Sequence, residues 1–151
     1  MSLILTGVFP ADIVAPVVLA LSVLAPHAPI QKTGEPWTVV MRVSGGIANL
    51  DREIQLASTG PFTATDRRRR VSAMGSMPAA ALADLDAIIF KLTASASRRD
   101  PACRDCLVYR FEIKRATTAV TADFDDLSVA GTPFELLVKT LTTQLTEALR
   151  Q

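Results

Sequence analysis

The chain has 151 residues, enough for one domain with a sizeable core, and 49% of them are hydrophobic. Sixteen basic and fifteen acidic residues leave a net charge of +1, a balance that argues against general nucleic-acid binding and against an acidic disordered chain. The single histidine, His27, lies in an apolar N-terminal stretch, so a His-dependent triad or multi-His metal site is excluded outside that stretch.

Leu3 to Ile30 carries one charge, Asp12. Its apolar centre, Ile13 to Ala25, has the length of a signal-peptide h-region rather than of a membrane span. Small residues near Ala25 and Ala28 offer a cleavage site, but no Lys or Arg precedes the run, and Pro16 and Pro26 interrupt it. An ordered apolar extension and a start codon assigned too far upstream are the other two readings. Export makes the mature protein periplasmic or secreted; without it the chain is cytoplasmic. Residues 1–36 are thus an apolar segment and a linker, Gln31 to Pro36, and residues 37–151 are the folded domain.

Trp37, Val39, Met41 and Val43 alternate at period two, which predicts a strand. Gly45 and Gly46 follow, and adjacent glycines allow positive φ and close backbone approach. Ala48 and Asn49 continue the loop, with Ile47 and Leu50 where a turn is ordinarily polar. Such residues either fold back onto the core or are displayed for a partner. A second strand is predicted over Glu53 to Ser58, a turn at Thr59 to Pro61, and a third strand over Phe62 to Asp66 that resumes at Val71. Between them, Arg67 to Arg70 reads as a solvated hairpin tip, dispensable for the main function, since no stacking aromatics interleave.

Ser76 is placed to cap a helix started by Pro78. Leu82, Leu85, Ile89 and Leu92 keep helical spacing, predicting a helix from about Pro78 to Ser95 with one face on a sheet. Ser97 to Pro101 reads as a loop. Cys103 and Cys106 supply only half a zinc site, and they lead into a strand rather than a helix, which disfavours thioredoxin-type chemistry. A local disulfide in an exported protein and two free thiols both remain open, with Asp105 fixing the loop between them.

Leu107, Tyr109, Phe111 and Ile113 alternate with Val108, Arg110, Glu112 and Lys114, and Val120, Ala122 and Phe124 form the hairpin partner across a turn at Arg115 to Thr117. Asp125 and Asp126 lack a third acidic neighbour for a cation site, and Asp126 or Ser128 reads as a turn or cap residue. Thr132-Pro133-Phe134-Glu135 is a capping-box sequence, and Phe134, Leu137, Val138, Leu141, Leu145 and Ala148 continue one apolar helix face. The order is βββ-α-ββ-α: an α+β domain with a mostly antiparallel sheet and two helices on one face. No nucleophile–base pair or metal cluster suggests an enzyme.

Val43 to Arg52, Leu82-Ala83-Asp84-Leu85, Asp100 to Tyr109, Phe124 to Ser128 and the final helix together resemble emfourin. That family comprises proteinaceous inhibitors of protealysin and related thermolysin-like zinc metallopeptidases. The resemblance covers Trp37 to Arg150. It implies a protein partner of that peptidase class, bound through Gly45, Gly46, Ile47, Ala48, Asn49 and Leu50, with Ile47 or Leu50 in the pocket that takes a bulky apolar side chain. The glycines would then let the loop backbone run close to the enzyme's zinc. No catalytic residue, cofactor or bound metal is implied in the inhibitor itself, nor a nucleic-acid partner, and membrane contact arises only if the N-terminal segment is retained. The alternative is a non-catalytic binding or assembly module of the same fold, docking through that apolar segment.

Overall fold

A computed structural model describes residues 34–92 and 94–150. The apolar N-terminal segment, with its signal-peptide, extension and docking readings, lies outside them.

Four strands come first: β1 (Trp37–Gly45), β2 (Leu50–Ala57), β3 (Pro61–Asp66) and β4 (Val71–Ser76). Helix α1 (Ala79–Ile89) follows, then β5 (Ala96–Arg98), β6 (Leu107–Arg115), β7 (Ala119–Asp125) and helix α2 (Glu135–Ala148). They make one seven-stranded sheet in the order β4-β3-β2-β1-β6-β7-β5. All pairs are antiparallel except β5 with β7. The domain is therefore α+β with a mostly antiparallel sheet, as the pattern predicted. The order differs from βββ-α-ββ-α in two places. The expected third strand is two strands joined by a turn at 67–70, and β5 occupies part of the predicted Ser97 to Pro101 loop.

Period-two alternation sorts the sheet into two faces. Val39, Met41, Ile54, Leu56, Phe111 and Ile113 point to one side and are almost wholly buried. Leu82, Leu85 and Ile89 of α1 and Leu137, Leu141 and Leu145 of α2 join them in one core, so both helices cover that face. Phe134 closes the core beneath α2, its ring 5.4 Å from that of Phe111 and 5.1 Å from that of Phe124. Trp37 Nε1 donates to the Asp86 carboxylate and ties β1 to α1. The other face carries Arg42, Glu53, Arg110, Glu112, Lys114 and Asp123, laced by ion pairs.

Helix α1 is shorter than its apolar spacing suggests. Ser76 belongs to β4 rather than capping the helix, and Pro78 occupies the cap position with no side-chain cap. Regular helix ends at Ile89; tighter turns, Lys91 N to Ile88 O and Leu92 N to Ile89 O, carry Leu92 into the core. At α2 the predicted box does not form: Phe134 holds the cap position with no side-chain cap, Thr132 Oγ1 accepts from the Phe134 amide at 3.3 Å, and the Glu135 carboxylate accepts from the Gly131 amide at 2.7 Å rather than from that of Thr132. The regular helix starts at Glu135, two residues after Pro133.

Candidate functional site

β1 ends, β2 starts, β3 ends, β4 starts, β6 starts and β7 ends at the same margin of the sheet. That margin therefore gathers the β1–β2 turn, the β3–β4 turn, the cysteine loop and the stretch after Asp125. Most of the segments that the sequence singles out meet at this end.

The β1–β2 turn spans residues 46–49 and is closed by the Gly45–Leu50 pair. Gly45 and Gly46 have φ of 88° and 69°, and Asn49 has φ of 48°, all in the left-handed region that favours Gly and Asn. The Asn49 amide donates to the Gly46 carbonyl at 2.9 Å. Ile47 stands at the tip and is 93% exposed. Ala48 and Asn49 are exposed beside it. Leu50 is different: it is the first residue of β2 and half-buried, so the apolar display of this loop rests on Ile47. Neither residue joins the core cluster.

The close approach that the glycines permit is made within the chain. A Cβ on Gly45 would lie 2.8 Å from the Cys106 carbonyl oxygen, and one on Gly46 would lie 2.8 Å from Leu107 Cδ2. The Gly46 amide donates to that same carbonyl at 3.0 Å. The turn thus leans on the segment that follows the cysteine loop.

That loop is closed by a Cys103–Cys106 disulfide, with Cα atoms 5.7 Å apart. Of the two readings left open by the sequence, the structure has the disulfide. Asp126 lies close to both sulfurs, but bonded sulfurs offer no thiolate to a metal. Asp100, rather than Asp105, fixes the loop: its carboxylate accepts from the Ala102 amide at 2.8 Å, and its carbonyl accepts from the Cys103 amide at 3.1 Å.

Asp125 is the buried organiser of this corner. Its carboxylate accepts from the amides of Asp100, Leu127 and Ser128. Burial pushes its pKa up, but these hydrogen bonds outweigh that and hold it below the ordinary carboxylate value. Ser128 donates to the Arg98 carbonyl at 2.6 Å, which secures β5. The turn role expected of Asp126 therefore falls to Asp125, with Ser128 as expected, while Asp126 and Leu127 are exposed. Tyr109, opposite Val43, is buried, and that burial, with the nearby Asp126 carboxylate, raises its hydroxyl pKa.

The β3–β4 turn is Arg67 to Arg70, a hairpin tip as predicted. What the sequence does not reveal is the Asp66–Arg52 pair beneath it. Both face the helix side, Asp66 is buried, and Arg52 Nε donates to its carboxylate at 2.9 Å. The Arg69 amide donates to Asp66 at 2.9 Å, and the Arg67 amide donates to the Asp51 carbonyl at 2.9 Å. The Arg69 amide first, and Arg52 after it, hold the Asp66 pKa below its ordinary value against the opposing effect of burial. A charged pair flanking a turn reads as solvated in sequence, so only its position on the inward face could have marked it.

No protein-family model matches this chain, and no curated protein is significantly similar to it.

Proposed function

We propose that this chain is a proteinaceous inhibitor of a thermolysin-like zinc metallopeptidase that presents the Gly45–Leu50 hairpin, led by Ile47, to the active-site cleft. One observation carries the reading: an isoleucine is 93% exposed on a turn that is itself held firmly. Leaving such a side chain in water gives up about 1.5–3 kcal/mol of burial energy, which a partner pocket recovers. The turn is anchored by the Cys106 carbonyl, the disulfide loop and the β1–β2 ladder, so little ordering entropy is lost on binding. A protruding apolar side chain on a preorganised turn suits a cleft that accepts bulky apolar residues. The resemblance to emfourin supplies the peptidase class.

In this reading the protein needs no catalytic group and no metal of its own. The disulfide agrees with an oxidising compartment, periplasmic or extracellular. Among the described residues no helix is long and apolar enough to cross a membrane.

The test is a titration of the full chain against a thermolysin-like peptidase, following hydrolysis of a quenched fluorescent peptide. The reading expects stoichiometric loss of activity, relieved by excess competing substrate. Undiminished hydrolysis across a panel of such peptidases overturns it.

A further inference from the structure

The second tip at this end of the sheet is charged where the first is apolar. Arg67, Arg68, Arg69 and Arg70 make up the whole β3–β4 turn, and all four are exposed. Arg67 donates to the Glu53 carboxylate at 2.6 Å. Among the described residues, the other three guanidinium groups make no ion pair.

The turn is set before any ligand arrives. Buried Asp66 holds the Arg69 amide, and Asp51 holds that of Arg67. Arg70 has φ of 56°, a backbone region that disfavours side chains, and asparagine fills the equivalent place in the sister turn. Arg70 thus carries a fourth guanidinium at a position where the backbone favours Gly or Asn.

Guanidinium groups recognise carboxylates or phosphates. Two observations choose between them. Single-stranded nucleic acid needs aromatic platforms, and the exposed large aromatic among the described residues, Phe90, lies against Gly34 at the opposite margin. The neighbour of the arginine turn at this margin is instead the Ile47 turn: the Arg67 amide donates to the carbonyl of Asp51, the second residue of the strand that leaves the Ile47 turn. An apolar knob beside a basic rim has the anatomy of a protein–protein interface, in which rim charges steer an oppositely charged partner.

We propose that the Arg67–Arg70 turn is a preformed docking site for a carboxylate-rich protein surface. Resting on the inhibitor reading, that surface is an acidic rim beside the peptidase cleft that takes Ile47. This revises the expectation that the run is dispensable.

The experiment uses the full chain, labelled with nitrogen-15 and titrated with an oligoglutamate peptide at low salt, where charges are felt over ~30 Å. A short duplex DNA and phosphatidylserine vesicles are titrated in parallel. Amide shifts centred on residues 67–71 are expected. Replacing Arg68, Arg69 and Arg70 together by Gln should weaken peptide binding at least about tenfold with the melting temperature retained, since charge-assisted Arg–carboxylate bonds are lost. Arg110→Gln, on the ion-paired sheet face, should leave binding unchanged. Absent shifts at the turn, unchanged affinity in the triple variant, or tighter binding of DNA or vesicles each overturn the proposal. Glutamate binding that persists in a protein inhibiting no peptidase upholds the docking site and rejects only the identity of its partner.

Discussion

The two hairpin tips share a backbone plan and differ in everything that faces solvent. Each is a four-residue turn closed by a strand pair, Gly45–Leu50 in one and Asp66–Val71 in the other. Each ends in a left-handed residue, Asn49 at φ 48° and Arg70 at φ 56°. The first is braced from outside, by the Cys106 carbonyl at the end of the disulfide loop, and exposes an isoleucine. The second is braced from below, by the buried Asp66 carboxylate, and exposes arginines. Hairpin geometry thus accounts for the shape of both turns and for neither set of side chains. What each tip displays costs something in isolation: apolar exposure in one, like charges and a strained arginine in the other. A shared partner that is apolar at its centre and acidic at its rim makes both costs intelligible.

Removing either brace breaks the comparison most severely. Asp66→Ala strands the Arg52 guanidinium and the Arg69 amide, and should cost about 3 kcal/mol in urea unfolding. A loss below about 1 kcal/mol would mean that the arginine turn does not depend on its buried carboxylate. Gly45→Ala puts a methyl group against the Cys106 carbonyl at positive φ and should cost about 2 kcal/mol, whereas Ala48→Gly, in the open part of the same turn, should cost only a few tenths.

A smaller, pH-dependent effect isolates the second brace. The Asp66 pKa is lowered in the folded protein, so below pH 5 the unfolded chain takes up its proton first. Stability from this group is complete above the unfolded value of about 3.9 and is lost as pH falls through the folded value. The urea midpoint of the parent should therefore fall more steeply between about pH 5 and pH 2 than that of Asp66→Asn. Parallel curves would remove Asp66 from the account.

The smallest effect has the opposite sign. Arg70→Gly relieves a left-handed arginine and should stabilise the fold by about 0.5–1 kcal/mol while weakening oligoglutamate binding. Asn49→Gly should change stability by no more than a few tenths, because asparagine tolerates that conformation. Equal responses at the two positions would erase the distinction between the tips.

Much of this architecture is legible in the sequence because burial imposes a period. Val39, Met41 and Val43, or Tyr109, Phe111 and Ile113, cannot alternate so regularly unless one face is covered. The start of α2 after Thr132 and Pro133 is equally local, although its bonds are not those of the expected capping box. What the sequence hides is non-local. β5 has three residues and no alternation, and it exists because Asp125 and Ser128 hold the chain around it. Leu92 keeps helical spacing but reaches the core after regular helix has ended. The exposure of Ile47 is also a tertiary fact: spacing alone leaves it free to fold inward, and the glycines' contact with Cys106 and Leu107 turns the tip outward. The adjacency of Ile47 and Arg67–Arg70 follows from strand order, which no local pattern specifies.

The most direct test of the central claim is Ile47→Ala, assayed for inhibition of a thermolysin-like peptidase and, on the same preparation, for thermal stability. With its side chain 93% exposed, Ile47 contributes little to folding, so the melting temperature should stay within a degree or two of the parent, about 0.5 kcal/mol. Inhibition should weaken by about thirtyfold or more, the ~2 kcal/mol typical of a central interface anchor. Inhibition equal to the parent's, or a loss that only tracks a fall in stability, would contradict the account.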